Sequence, residues 1–211
     1  MRMLGIETAS EACSVALFED GALVERDHRV LGRGHAEQLV PMIAGLPDKG
    51  RADAIRVSLG PGSFTGVRIG IATARALAFA WRAELLGYPT LALVAAMALA
   101  DRREPVTVCA TGGHGEWFVQ DFDAAGAATS ELESLPPEAA AARPVHEHIA
   151  GSQAQALAER LASPDSSVAV DLLPDARAIA VLGTSHFTPG LAPIYGRAPD
   201  ARLPASPVAP A

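Results

Sequence analysis

The sequence predicts an α/β protein of two related lobes, and three observations lead there. Three strand patterns, a helix pattern and a fourth strand open the chain. The strand rhythm then restarts at roughly half the chain length, where VTVCATGGHGEWFVQDFDAAG echoes LGIETASEACSVALFEDG. With 49% hydrophobic and 19% charged residues, 211 residues are enough to bury a substantial core.

Taken in order, MLGIET reads as a buried strand, and SEACSVALFEDG as a second with Asp20-Gly21 as the hairpin turn. ALVERDHRV closes a β-meander. GHAEQLVPMIAGL places Leu39, Ile43 and Leu46 at helical spacing, with Pro41 expected to weaken or kink the helix and Gly45 and Pro47 marking its end. DAIRVS is a strand that runs into GPGSFTGVRIG at 60–70, and TGVRIGIATARALAFAWRA is a long helix. LLGYPTLALVAAMALADR follows as a short strand, a turn at Pro89 and another helix. In the second half PPEAAAARPVHEH reads as a low-complexity connector with His146 and His148 on the surface, while GSQAQALAERLA and DLLPDARAIAVLG read as helices. The lobes are set at residues 1–104 and 105–198, followed by a disordered Pro/Ala-rich tail at 199–211. Nothing beyond about Arg197 is expected to carry chemistry.

Composition removes several function classes. No charged leader precedes an apolar run, and LLGYPTLALVAAMALA is too short for a membrane span and holds Pro89, so a cytoplasmic protein with no membrane contact is expected. Cys13 and Cys109 stand far apart in apolar strands, the pattern of buried free thiols. A net charge of −7 and a pI near 5.3 leave no basic excess to neutralise a phosphate backbone, so nucleic acid is expected only through a partner.

The glycine-rich turn fails the enzyme motifs it approaches. No lysine follows Gly66, as a P-loop needs; Gly60, Gly62 and Gly66 are one residue too widely spaced for a dinucleotide turn; Ser63 lacks the flanking glycines of a nucleophile elbow. What remains is a sharp turn at Gly60-Pro61-Gly62, with Ser63 or Thr65 capping a helix whose N-terminus could also attract an anion. Along that helix Gly62, Gly66, Gly70, Ala74 and Ala78 recur every four residues, leaving a face almost without side chains. Arg68, Arg75 and Arg82 recur every seven beside it. Such a groove with an arginine rim predicts a helix that docks against another, in this chain or in a partner. On that reading Gly70→Leu leaves the fold largely intact and blocks docking.

GPGSFTGVRIG followed by IATARALAFA resembles the signature of the TsaB (YeaZ) family. The resemblance continues in MLGIETASEACSVAL, HAEQL, GEWF and PIYGR and covers most of the chain. It implies an actin/Hsp70-like (ribonuclease H-like) fold of two related lobes, each with a mixed sheet flanked by helices. It also implies a non-catalytic accessory subunit in the threonylcarbamoyl modification of tRNA adenosine 37. Such a subunit needs no cofactor or metal of its own; it pairs with its catalytic paralogue TsaD, joins TsaE in the larger complex, meets tRNA only there, and forms a homodimer when alone. The interface implied uses the two helices, with His35, Glu37, Leu39, Gly66, Arg68, Gly70, Ala74, Arg75 and Ala78 as contact residues, and Gly60, Pro61, Gly62, Ser63 and Thr65 as the turn and possible anion site.

The sequence departs from the family pattern in places. The catalytic paralogue is expected to hold its metal with an HxxxH pair; here His35 has Leu39 at the second position, which completes no site. Glu7 stands where the family usually has aspartate, and Thr111-Gly112-Gly113-His114 replaces a DAR-type triplet before Gly115-Glu116. Two other readings are a nucleotide-hydrolysing member of the actin-like superfamily and a peptidase, as the older glycoprotease naming implies. The absence of GxSxG, HExxH and Cys-His patterns argues against the second.

Overall fold

The structure is a computed structural model that describes residues 1–161 and 167–196. The expected tail at 199–211, and Arg197 of the PIYGR motif, lie outside the described residues.

Strand β1 (Arg2–Glu7) pairs antiparallel with β2 (Ala12–Glu19), which pairs antiparallel with β3 (Ala22–Val30). Helix α1 (His35–Gly45) then leads to β4 (Ala54–Ser58), parallel to β1. Helix α2 (Phe64–Trp81) leads to β5 (Glu84–Tyr88), parallel to β4, and α3 (Thr90–Asp101) follows. The first sheet therefore has the order β3-β2-β1-β4-β5. The second is built from β6 (Val106–Thr111), β7 (Trp117–Phe122), β8 (Glu133–Leu135), β9 (His148–Ala150) and β10 (Val168–Val170), with α4 (Pro137–Ala142) and α5 (Ala154–Ala158) between its later strands. Its order, β8-β7-β6-β9-β10, repeats the first with the same parallel and antiparallel pairings. The echo read from the sequence is a duplication of topology.

Both faces of the first sheet are covered, which is why β2 and β4 are buried at nearly every position instead of alternating. One face packs Leu4, Ile6, Val15 and Val57 against Leu39, Met42, Val67 and Ile71 of α1 and α2. The other packs against α3, which also touches Val106, Val108, Phe118 and Phe122 of the second sheet. Helix α3 is buried around most of its circumference, so its sequence is apolar all round. On the far side of the second sheet Trp117, Val119 and Ile149 meet Ala140, Ala154 and Leu157 of α4 and α5.

Three sequence expectations change. The 137–148 stretch is not a connector: Pro136-Pro137 opens α4, where proline is tolerated in the first turn, and the histidines lead into β9. His148 is 3% exposed, because its strand pairs with β6 on one side and β10 on the other. The stretch expected as a helix near 171–183 is a 3-10 segment, Ala176–Val181, capped by the Asp175 carboxylate and packed on β1, β2 and β3. Pro41 is accommodated within α1, on its exposed side. Cys13 and Cys109 are buried free thiols, and burial pushes them up to about 11 and about 12.

Candidate functional site

The turn between β1 and β2 sits in the small-residue stripe of α2. The Thr8 hydroxyl donates to the Gly66 carbonyl at 2.8 Å, and the Ser63 N–H donates to the Ala9 carbonyl at 2.7 Å. Ser63 Oγ caps the helix by accepting from the Gly66 N–H at 3.2 Å. A methyl group added at Gly62, Gly66 or Gly70 would strike the Ala9 carbonyl, the Thr8 carbonyl or the Thr8 hydroxyl respectively. Ala74 and Ala78 continue the stripe into the core beneath the helix. The groove that the sequence assigns to another helix is thus filled by this chain's own turn.

The expected contact residues divide between inward and outward positions. Gly66, Gly70, Ala74 and Ala78 face inward. Leu39 is fully buried against the sheet, and His35 is 5% exposed with Nε2 3.2 Å from the Ala12 carbonyl oxygen. Glu37, Arg68 and Arg75 are exposed. Arg68 lies over the Phe64 ring at 3.3 Å from its centroid and donates to the Tyr195 hydroxyl, while Arg75 donates to the Leu191 carbonyl at 3.3 Å. Both arginines therefore hold the C-terminal segment against α2 while edging its outer face.

That outer face carries residues the sequence reading passed over. Phe79 is 89% exposed, Phe64 63% and, on the adjoining α1, Val40 55%. The signal was available: Phe64, Arg68, Ala72, Arg75 and Phe79 recur every three or four residues, on the side of the helix opposite the glycine stripe.

A cavity of about 700 Å³ opens between the two sheets. Pro61, Gly62 and Ser63 line it as part of the expected turn, which begins with a cis Gly60-Pro61 peptide; Ala9, Val94 and Phe118 give it largely apolar walls. Gly60 is engaged behind it, accepting at its carbonyl from the Thr90 N–H at 2.8 Å, and Thr65 points to solvent.

Glu7 is not part of the cavity wall; it lies beneath the turn with no exposure. Its Oε1 accepts from the Ala9 N–H at 2.7 Å, the Tyr88 hydroxyl lies 3.3 Å from its Oε2, and the Ser58 hydroxyl also reaches it. Burial pushes this carboxyl up to about 7. Sheet register places Ser14, Glu7, Ser58 and Tyr88 side by side across β2, β1, β4 and β5, a buried polar row. Among the described residues no three His, Cys, Asp or Glu side chains converge as a metal site, and no helix is long and apolar enough to cross a membrane.

Fold and site together define a duplicated α/β protein with an actin-like fold, whose first copy presents an apolar helix face and whose buried acid is sealed from the cleft. The chain belongs to the TsaB/YeaZ family. A family model described as TsaD, tRNA N6-adenosine threonylcarbamoyltransferase, matches residues 29–141. The tRNA threonylcarbamoyladenosine biosynthesis protein TsaB of Escherichia coli is 42% identical over 100 residues, which is 45% of this chain and 43% of that protein. The Haemophilus influenzae protein of the same name is 41% identical over 86 residues, 37% of this chain and 35% of that one. These matches span less than half the length of either curated relative. The solved structure of YeaZ from Pseudomonas aeruginosa superposes with a TM-score of 0.71 at 30% identity, covering 86% of this chain and 89% of that one.

Proposed function

We propose that this protein is a non-catalytic accessory subunit in the threonylcarbamoyl modification of tRNA adenosine 37, and that it acts by docking its α1–α2 face on a TsaD-type partner. The observation that carries this reading is the solvent-facing side of α2, where Phe79 stands 89% exposed beyond Ala72 and Ala76 with Arg75 nearby in sequence. Large exposed aromatics on a small-residue surface are the composition of an interface core, with arginines suited to its edge. Family membership supports the choice of pathway and partner. The sealed position of Glu7 counts against a nucleotide-hydrolysing role, since the first-strand acid cannot reach a ligand in the cavity. TsaE and tRNA meet the protein within the assembled complex, and the same helix face pairs two copies when no partner is present.

The test is size-exclusion chromatography with light scattering on this protein alone, on its cognate TsaD and on the mixture, followed by a tRNA threonylcarbamoylation assay on each fraction. Activity is expected in the mixed complex alone. Phe79→Asp should weaken complex formation by about tenfold or more while leaving the melting temperature unchanged, because the ring touches little of its own chain. Equal binding by the variant would overturn the interface, and turnover by the isolated protein would overturn the accessory role.

A further inference from the structure

Glu7 presents a hydrogen-bonding problem with one economical solution. The Tyr88 hydroxyl has a single proton and two acceptors within reach, the Ile6 carbonyl at 3.0 Å and Glu7 Oε2 at 3.3 Å. If Tyr88 donates along the shorter contact, its oxygen faces Glu7 Oε2, and the longer contact is satisfied when Glu7 itself carries a proton. The chain then runs in one direction: Glu7 Oε2–H to Tyr88 Oη, and Tyr88 Oη–H to the Ile6 carbonyl. Oε1 stays an acceptor for the Ala9 N–H at 2.7 Å.

Burial favours the neutral form and outweighs the Ala9 and Thr8 N–H groups and the Ser58 and Tyr88 hydroxyls, which favour the charge. Glu7 is fully buried, and an unpaired charge at such a place is strongly disfavoured. Tyr88 on β5 faces it directly, Cys13 on β2 feels its charge, and Asp175 from the C-terminal segment acts on Tyr88; none of these is a cation. The neighbouring basic groups are committed elsewhere. Arg56, which shares a face of β4 with Ser58, pairs with Glu84 at 2.6 Å and donates to the Ile55 carbonyl, and His35 faces the Ala12 carbonyl. Helix α2 brings Gly66 and Gly70 to the turn and no charge.

We propose that Glu7 is a neutral carboxylic acid in the folded protein, donating its proton to Tyr88 Oη, and that it is a positioning residue for the turn on which α2 is seated. The link is short: Glu7 holds the Ala9 N–H, the Ala9 carbonyl holds the Ser63 N–H, and Ser63 caps α2. The sign of the pH dependence follows. Because the folded value of about 7 lies above the ordinary 4.5, the stability this group contributes is complete below about 4.5 and is lost as pH rises through about 7. Above that range ionisation leaves an unpaired charge beneath the turn, and although the Ala9 N–H itself prefers the carboxylate, the disturbance should reach α2 through the Ala9–Ser63 link. This last consequence rests on the docking function proposed above, whereas the protonation does not.

Infrared spectroscopy of the wild-type protein reads the proton directly. A carbonyl band of a buried carboxylic acid is expected at about pH 6, fading above about pH 8 and shifting in Tyr88→Phe, which keeps the ring and removes the hydroxyl. Glu7→Gln should abolish it. No such band, or one indifferent to Tyr88→Phe, overturns the assignment, and the wild-type and Tyr88→Phe spectra decide it even if Glu7→Gln fails to fold. For the positioning role, association with the cognate TsaD should weaken about threefold or more between about pH 6 and about pH 8.5 in wild type and stay level in Glu7→Gln. Where Glu7→Gln does not fold, Tyr88→Phe takes its place, and its pH midpoint for association should move. An identical pH slope in wild type and variant overturns that role. Failure to associate at any pH overturns the docking reading and with it this role, while the infrared result still decides the proton.

Discussion

The two sheets share one strand order but bury different ionisable groups. The first encloses an acid, Glu7, in a polar row that satisfies it; the second encloses a base, His148, whose Nδ1 has no hydrogen-bond partner among the described residues. The helices differ as well. In the first copy α2 runs 18 residues on a stripe of glycine and alanine, whereas α5, which follows the corresponding strand of the second copy, has 5. A common topology therefore does not impose a common surface: the long helix with an exposed aromatic face belongs to the first copy.

The sharpest way to break this comparison is to fill the stripe. Gly66→Leu puts a side chain where the Thr8 carbonyl already stands, and should destabilise the protein by about 3 kcal/mol or more in urea denaturation. The structure reverses the sequence expectation for Gly70→Leu in the same way, since the Thr8 hydroxyl occupies that space. A variant that kept its stability but lost docking would return the stripe to the interface.

A smaller effect is expected in the second copy at Arg143, which lies just beyond α4 and bonds Asp121 of β7 at 2.6 Å and Glu133 of β8 at 3.2 Å. Both side chains of the Arg143–Asp121 pair are largely buried, so Arg143→Ala strands a carboxylate and should cost about 2–3 kcal/mol. A cost near zero would mean that α4 is anchored by its apolar contacts alone.

The smallest effect is a pH slope. Desolvation, with Arg102 adding to it, lowers His148 below its ordinary 6.5, so the folded state disfavours its charged form. Its stability contribution is complete above about 6.5 and is lost as pH falls toward and through the lowered folded value. Wild type should lose stability as pH falls below about 6.5, and His148→Leu should flatten that slope. An unchanged slope in the variant would place the acid sensitivity elsewhere.

Much of the fold was legible because strand and helix periods are local properties. The meander at 3–30, the strand at 54–58 and the long helix after the glycine turn followed from apolar spacing and from Gly and Pro punctuation. The strands Glu133–Leu135 and Val168–Val170 did not, because three residues are too few to display a period, and their pairing with distant neighbours is what makes them strands. In the candidate site, the periodicity of α2 showed two faces, one small and one bearing Arg68 and Arg75. It could not show which one faced inward.

The sequence by itself determined that small residues line one side of α2, that no P-loop, dinucleotide or nucleophile-elbow motif is present, and that the chain resembles the TsaB/YeaZ family. These are properties of residue type and spacing. Tertiary structure decided what meets each residue: the Thr8-Ala9 turn fills the stripe, His35 and Leu39 turn inward, Phe79 turns out, and Glu7 comes to lie beside Tyr88. Those outcomes depend on contacts between residues tens of positions apart, set by sheet register and the direction of each strand, which no local period encodes.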